Sequence, residues 1–195
     1  MAADAEHFDR LYRHDPDPWN YQSSPYERRK YDATLAALTQ PRYSSALEAG
    51  CSIGVLSARL ARRCDTLIAL DFSDLAIAQA KQSLMAFPGA EAFRATLPDE
   101  WPKAAYDLIM LSEFIYYLTP DKIAHTAALV ARDATAAAEC VLVQWQGETQ
   151  THVAPNAARD LFCAELALRR TFQTVRHQTT GEYDHLTLLF GRGRA

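Results

Sequence analysis

Residues 46–60 read ALEAGCSIGVLSARL, and this stretch decides the fold. It begins as a short apolar strand, breaks at Gly50, has a second glycine at Gly54, and continues as VLSARLARR with the spacing of a helix. A strand, a glycine turn and a helix in succession present backbone N–H groups at a helix N-terminus to a ligand. The spacing is E-x-G-x-x-x-G, without the middle glycine of the G-x-G-x-x-G turn that binds dinucleotides. The stretch therefore predicts a ligand-binding turn that differs from the dinucleotide type.

The length and the charge of the chain limit the classes of protein to consider. A chain of 195 residues is long enough for one core and short for two, so we expect a single domain over residues 1–195. The net charge of −4 argues against a nucleic-acid-binding surface. No apolar run approaches the roughly 20 residues of a membrane span, and the charged N-terminal segment has no signal-peptide core. We expect a cytoplasmic protein, monomeric or homodimeric, without nucleic-acid or membrane partners.

The cysteines do not suggest a metal site. Cys51, Cys64, Cys140 and Cys163 contain no C-x-x-C pair. In a cytoplasmic protein such residues are expected to be reduced thiols. Zinc would have no local ligand pair, so we expect no metal.

Strands and helices alternate along most of the chain. Helices of 10–15 residues separate apolar strands, which are predicted at residues 45–49, 66–70, 91–95, 106–112 and 138–145, with a closing hairpin over residues 171–192. This alternation predicts a parallel sheet with right-handed crossovers. The hairpin adds an antiparallel C-terminal edge strand. The predicted class is α/β, a Rossmann-like and mostly parallel seven-stranded sheet with helices on both faces.

The N-terminal segment is helical but interrupted by a loop rich in proline and aromatic residues. The rings of this loop, DPDPWNYQSSPYE, either pack on the domain or line a ligand pocket. A helix begins at Pro25. It carries Arg28, Arg29 and Lys30, which predict a solvated face from which one residue could reach a ligand carboxylate.

Ligands of open α/β sheets bind beyond the carboxyl ends of the strands. Asp71 ends the second strand 21 residues after Gly50 and can accept hydrogen bonds from both hydroxyls of a ribose. The alternative role, capping the next helix, is already available to Ser73. Glu48 is a poor neighbour for phosphates and suits a cation, such as the amino group or the sulfonium of S-adenosylmethionine. Alternatively, Glu48 is a structural carboxylate bonded to backbone.

Three motifs together resemble those of a known enzyme class. LEAGCSIG, ALDFS and YDLIMLSEFIYYL are similar to successive motifs of the class I S-adenosylmethionine-dependent methyltransferases. DPWNYQSSPYERRKY followed by LEAGCSIGVLSARLA resembles the nodulation protein S family, small N-methyltransferases that act on a deacetylated chitooligosaccharide. The resemblance covers nearly the whole chain. It implies a class I methyltransferase core at residues 43–195, a helical lid at residues 1–42, S-adenosyl-L-methionine as cofactor and S-adenosyl-L-homocysteine as product.

The resemblance also implies roles for individual residues. The cofactor would be held by Trp19, Arg28, Glu48, Gly50, Cys51, Ser52, Gly54, Asp71, Phe72, Thr96, Leu97 and Ser112. Among these, Asp71 would hold the ribose, Phe72 would pack on the adenine, and Ser112 would lie at the sulfonium end. RATLP departs from the pattern because it lacks the usual acidic residue after the third strand, so Thr96 or a backbone carbonyl must accept from the adenine amino group. The turn before the fifth strand also lacks the usual glycine pair.

The acceptor side is predicted from chemistry. An amine acceptor must be neutral to attack, so a base or a carboxylate–tyrosine environment helps. Glu113 and Tyr117 are four residues apart after a strand, so one helical turn would bring them together. We predict catalytic roles for Glu113, Tyr117 and His152 and substrate contacts for Tyr26, Tyr116 and Trp145. The tyrosines could instead be packing residues, and His152 could simply be exposed.

The predicted function is therefore S-adenosylmethionine-dependent methylation of a small molecule, at an amine of an amino-sugar-like or other amino-containing metabolite. The alternatives are an O-methyltransferase, a nicotinamide-dependent oxidoreductase and a non-catalytic cofactor-binding subunit. The missing middle glycine counts against the oxidoreductase.

Overall fold

The computed structural model describes residues 5–147, 151–180 and 182–191. One sheet within these ranges contains seven strands: β1 (Tyr43–Ala49), β2 (Cys64–Asp71), β3 (Ala90–Arg94), β4 (Tyr106–Ser112), β5 (Ala134–Trp145), β6 (Phe172–Thr179) and β7 (Tyr183–Phe190). Their order is β3-β2-β1-β4-β5-β7-β6. The first five strands are parallel, and β7 is antiparallel to both β5 and β6. The predicted fold class is confirmed.

The closing hairpin differs from the prediction in one respect. The C-terminal strand is antiparallel as predicted, but it lies inside the sheet, and β6 is the edge strand. Strand β7 reads YDHLTLLF and is buried along nearly its whole length, whereas β6 reads FQTVRHQT and is almost entirely exposed. The more apolar strand therefore takes the interior position, and the polar strand forms the open edge.

Helices cover both faces of the sheet, as predicted. They are α1 (Ala5–His14), α2 (Pro25–Ala37), α3 (Val55–Leu60), α4 (Asp74–Leu84), α5 (Pro120–Asp133) and α6 (Pro155–Ala167). Ser24 and Ser73 cap α2 and α4, because their hydroxyl oxygens accept from the backbone N–H groups of Glu27 and Ala76. Helix α3 is shorter than predicted and continues as a 3-10 turn over Ala61–Arg63. Among the described residues, no helix has the length and apolar character needed to cross a membrane.

The core has two halves, one on each face of the sheet. Strand residues such as Leu47 and Ile109 pack on one face with α5 and α6. Their sequence neighbours Ala46 and Leu108 pack on the other face with α2, α3 and α4. The alternation follows from the two-residue period of a strand. Because the helices pack on the two faces of the sheet, the carboxyl ends of β1 and β4, where the strand order reverses, remain free for a ligand.

Candidate functional site

A cavity of about 600 Å³ opens where the strand order reverses between β1 and β4. This volume suits a small organic ligand. Its walls come from the turn after β1, from the ends of β2 and β4, and from α1 and α2. Every predicted cofactor residue except Arg28 and Gly54 lines the cavity, and so does every predicted acceptor-side residue.

The two glycines of the turn have different structural tasks. Gly50 has φ +82°, and a Cβ added there would lie 2.3 Å from the carbonyl oxygen of Ser112. Its N–H donates to the carbonyl oxygen of Leu70 at 2.9 Å. Gly54 has φ +80° and begins α3, where an added Cβ would lie 2.8 Å from the Cα of Ala80 on α4. Gly50 thus brings the turn against the end of β4, whereas Gly54 allows α3 to pack on α4 and does not contact the cavity.

Asp71 organises the turn from the end of β2. Its Oδ2 accepts the backbone N–H of Ser52 at 2.9 Å, and its Oδ1 accepts the N–H of Ser73 at 3.0 Å. The α4 cap itself is Ser73. Burial raises the pKa of Asp71, and these backbone N–H groups oppose the rise. Each carboxylate oxygen has a second lone pair, so Asp71 retains acceptor capacity toward the cavity.

Glu48 presents an open carboxylate oxygen. The residue is fully buried, and its Oε2 accepts the Ser57 hydroxyl at 2.5 Å. Its Oε1 has no hydrogen-bond partner in the described part of the chain. The pKa of Glu48 is raised to about 7, chiefly by burial; the hydrogen bond from Ser57 opposes this rise, and the nearby charge of Asp71 adds to it. The structural alternative with backbone partners does not hold, because the partner is a side-chain hydroxyl. An open buried acceptor is costly unless a ligand donor satisfies it.

Helix α1 covers the cavity with aromatic residues that the sequence prediction missed. The ring centroid of Phe8 lies 5.3 Å from that of Phe72 and 5.2 Å from that of Tyr117. The hydroxyl of Tyr12 is 2.5 Å from the Ser52 Oγ. Trp19 packs against both Phe8 and Tyr12. The spacing of Phe8 and Tyr12, which places both rings on one face of a helix, was the sequence signal that could have identified this aromatic cover.

A buried ion cluster lines the cavity between α2 and the end of β4. Glu113 follows β4 with a left-handed backbone, φ 52°, and its Oε1 is bonded to the ammonium of Lys30 from α2. The same ammonium donates to Glu27 Oε1 at 3.0 Å. Burial lowers the pKa of Lys30 and the two carboxylates raise it, with a net increase. Lys30 is only 3% exposed, so the expectation of a solvated basic face fails for this residue.

Arg28 does not line the cavity, in contrast to its predicted contact with the cofactor. Residues two apart on a helix point about 200° apart, so Arg28 is exposed when Lys30 faces inward. Within the basic cluster, Lys30 is therefore the residue that reaches a carboxylate, and the carboxylate belongs to the protein.

Aromatic rings complete the acceptor-side wall. Tyr116 and Tyr117 lie in the 3-10 turn Ile115–Tyr117, with ring centroids 4.7 Å apart. This turn, and not an α-helical one, brings Glu113 close to the tyrosines. Trp145 packs edge-on against Tyr26 at 6.0 Å. Burial and the charge of Glu113 raise the pKa values of Tyr26, Tyr116 and Tyr117.

Two predicted residues lie at the periphery of the cavity. Thr96 lines it, and its backbone N–H donates to Glu100 Oε2 at 2.6 Å. The Thr96 carbonyl oxygen already accepts the N–H of Glu100 at 3.0 Å. Its second lone pair and the Thr96 hydroxyl oxygen are the acceptors to consider at the position that lacks the usual acidic residue. His152 is exposed but contributes to the cavity wall.

The chain is similar to proteins of known family. The family model for nodulation protein S (NodS) matches residues 4–143. A nodulation protein S from Sinorhizobium fredii is 29% identical over 103 residues, which are 52% of this chain and 48% of that protein. The chain thus spans about half the length of the curated relatives it matches.

Solved structures share the fold. A crystal structure of a candidate methyltransferase from Pseudomonas syringae is 32% identical with a TM-score of 0.70, and the match covers 84% of this chain and 98% of that one. The N-methyltransferase NodS from Bradyrhizobium japonicum, crystallised with S-adenosylhomocysteine, is 18% identical with a TM-score of 0.79, covering 95% and 97%.

The strand order and these likenesses define the fold as that of the class I methyltransferases. Ligands of this architecture bind at the switch point between β1 and β4, where the cavity lies. The chain belongs to the nodulation protein S family.

Proposed function

We propose that this protein is an S-adenosylmethionine-dependent methyltransferase that methylates an amine of a small molecule. The observation that carries the proposal is the arrangement of Glu48, Gly50 and Asp71 around one cavity. An open buried carboxylate oxygen, a glycine turn and a second carboxylate together suit a nucleoside with a cationic tail. Membership of the nodulation protein S family supports the same reaction.

The residues of the cavity fit the cofactor part by part. Asp71 would accept from the ribose hydroxyls, and Phe72 would pack on the adenine. Glu48 Oε1 would accept from the amino group of the methionine part, which satisfies its missing hydrogen bond. Thr96 would accept from the adenine amino group in place of the usual acidic residue.

The acceptor residues would prepare the amine. S-adenosylmethionine supplies a sulfonium-bound methyl group, so that a C–N bond forms as the C–S bond breaks with its electron pair on sulfur. An amine that arrives protonated must first lose a proton, and Glu113 Oε2, a carboxylate oxygen at that end of the cavity, would receive it. Tyr117 and His152 would orient the acceptor, and Tyr26, Tyr116 and Trp145 would pack against its body. Alignment of reacting groups can supply several kcal/mol of the barrier.

The N-terminal 42 residues would act as a lid over a core of residues 43–195. Phe8 lies between Phe72 and Tyr117, and Tyr12 is bonded to Ser52 of the turn. This cover would exclude water from the transferred group.

Amine methylation is favoured over hydroxyl methylation by two observations. The acceptor end contains a carboxylate, Glu113, which suits a protonated amine. The structurally similar protein from Bradyrhizobium japonicum is an N-methyltransferase.

Calorimetry with S-adenosylhomocysteine and with NADH tests the cofactor. We expect S-adenosylhomocysteine alone to bind, and Asp71→Asn to weaken it about tenfold to a hundredfold through lost charged hydrogen bonds. Asp74→Asn, an exposed carboxylate three residues away, should leave affinity unchanged. NADH binding in place of S-adenosylhomocysteine would support the oxidoreductase.

A second assay tests the acceptor. Release of S-adenosylhomocysteine is measured with a set of small amines, amino sugars among them, and with their hydroxyl counterparts. Turnover of hydroxyl compounds alone would support O-methylation. Tight S-adenosylhomocysteine binding without turnover of any amine would support a non-catalytic subunit.

A further inference from the structure

In the ion cluster of Glu27, Lys30 and Glu113, helix α2 supplies the central cation, Lys30. Lys30 is bonded to Glu113 at the end of β4, 83 positions later in the chain, and to Glu27 on its own helix. The lysine is 3% exposed, and Glu27 is buried as well. A buried charge of this kind persists only when it is paired.

The two oxygens of Glu113 have different surroundings. Oε1 is bonded to the Lys30 ammonium, whereas the only partner of Oε2 among the described residues is the Tyr116 hydroxyl, which donates to it over 3.5 Å. That distance is at the outer limit for a hydrogen bond. Glu113 lines the cavity, and its side chain keeps 21% of its exposure. One oxygen is therefore held by the protein, and the other remains available to a ligand.

The charge of the cluster adds to this asymmetry. Two carboxylates and one ammonium leave a net charge of one negative at the acceptor end of the cavity. Aromatic rings of Tyr26, Tyr116 and Trp145 surround this end, and such rings attract cations through their faces. A negative charge within an aromatic wall is suited to an organic ammonium.

We propose that Lys30 is a positioning residue, which holds Glu113 by one oxygen so that Oε2 accepts an N–H from the acceptor in its protonated, ammonium form. Lys30 borders the cavity, and in this proposal it acts on the acceptor through Glu113. The inference rests on the proposed function, because it concerns the acceptor end of the same cavity.

Sinefungin is the probe for this proposal. It has the adenosine and amino-acid ends of S-adenosylhomocysteine, but a carbon bearing a protonated amine replaces the sulfur. The ratio of the two dissociation constants therefore isolates recognition of an ammonium near the site of methyl transfer. The wild-type protein should prefer sinefungin by about tenfold or more, as expected for a charged hydrogen bond.

Three variants and one control separate positioning from charge. Glu113→Gln should abolish the preference. The double variant Glu27→Gln/Lys30→Met keeps the net charge of one negative, yet it should reduce the preference at least about fivefold because Glu113 is no longer held. Lys30→Arg should retain most of the preference. Arg29→Met removes an exposed charge from the same helix and should have no effect.

The outcomes are distinguishable. A folded double variant that keeps the wild-type preference would overturn the role of Lys30. Equal affinities of the wild-type protein for both compounds would overturn the ammonium assignment, while S-adenosylhomocysteine binding would still support the proposed function. Failure of both compounds to bind would overturn the proposed function itself. If the double variant unfolds on thermal measurement, Glu27→Gln/Lys30→Gln, which has the same net charge and keeps polar side chains at both positions, is tested by the same criterion.

Discussion

The two ends of the cavity are built in different ways. At the turn end, each carboxylate is held by partners within 19 residues of it, since Asp71 is bonded to Ser52 and Ser73, and Glu48 to Ser57. At the acceptor end, Glu113 is held by Lys30, 83 residues earlier. A short sequence motif thus encodes one end, and only the packing of α2 against the sheet creates the other.

The two ends also differ in how their buried carboxylates are paired. Within the described part of the chain, Glu48 Oε1 has no hydrogen-bond partner and Glu113 Oε2 has only a long one, so each end offers a carboxylate oxygen to a ligand. Among the cavity residues that the structure describes, the buried cation is Lys30, at the acceptor end. The turn end therefore depends on a ligand for its missing donor, whereas the acceptor end is already partly neutralised. Variants at each end should accordingly have separate effects.

The largest effect is expected at the turn, for Gly50→Val. A side chain at Gly50 meets the Ser112 carbonyl oxygen at 2.3 Å and requires a φ of +82°. The turn must move, so S-adenosylhomocysteine binding should fall at least about a hundredfold, as judged by calorimetry. Gly191→Ala is the matched control, because nothing lies within 4 Å of its added Cβ. Near-normal binding by a folded Gly50→Val protein would show that the ligand does not contact this turn.

The pH dependence of stability should distinguish Glu48 from an ordinary carboxylate. Burial raises its pKa from 4.5 to about 7, so the folded protein without ligand binds a proton that the unfolded chain has lost. The stability that this proton contributes is therefore present below pH 4.5 and is lost as the pH rises through 7. Relative to wild type, Glu48→Gln should gain roughly 2 to 3 kcal/mol between pH 5 and pH 8 in urea unfolding.

The affinity for a cationic ligand should change with pH in the opposite direction to the stability of the free protein. S-adenosylhomocysteine should bind the wild-type protein more tightly at pH 8 than at pH 6, because the ionised Glu48 pairs with its amino group. The pH dependence should disappear in Glu48→Gln and persist in Glu91→Gln, which alters an exposed glutamate. An unchanged pH profile in Glu48→Gln would mean that this carboxylate does not face the amino group.

A smaller effect is expected for a variant in helix α1, which covers the cavity. Phe8→Ala removes the ring between Phe72 and Tyr117. The loss of this apolar contact should weaken S-adenosylhomocysteine binding about tenfold, mainly through faster dissociation measured by stopped flow. Phe93→Ala, at an exposed phenylalanine of β3, is the control. Equal dissociation rates for Phe8→Ala and wild type would contradict a covering role for α1.

The smallest effect is expected for Arg28→Met. Arg28 is exposed and does not line the cavity, so S-adenosylhomocysteine affinity should stay within about twofold of wild type. A tenfold or larger loss of S-adenosylhomocysteine affinity, measured by calorimetry, would support the predicted contact between Arg28 and the cofactor.

The sequence by itself determined the parallel α/β sheet and most of the turn end. Strand periods, the cap at Ser73 and the glycines are local signals, because each depends on the backbone conformation of a few neighbouring residues. Gly50 and Asp71 were therefore identified as neighbours of one site from their spacing alone. The same reasoning placed Glu113 after β4, since strand ends at one edge of a parallel sheet converge.

Only the tertiary structure decided what holds Glu113, which helix covers the cavity and which strand of the hairpin lies at the edge. The basic run of Arg28, Arg29 and Lys30 looks uniform in sequence, yet the helix rotates about 100° per residue and the packing of α2 selects one of the three for burial. The contact of Lys30 with Glu113 spans 83 residues. Side-chain burial of this kind depends on how distant elements pack together, and that information is absent from any short segment of the chain.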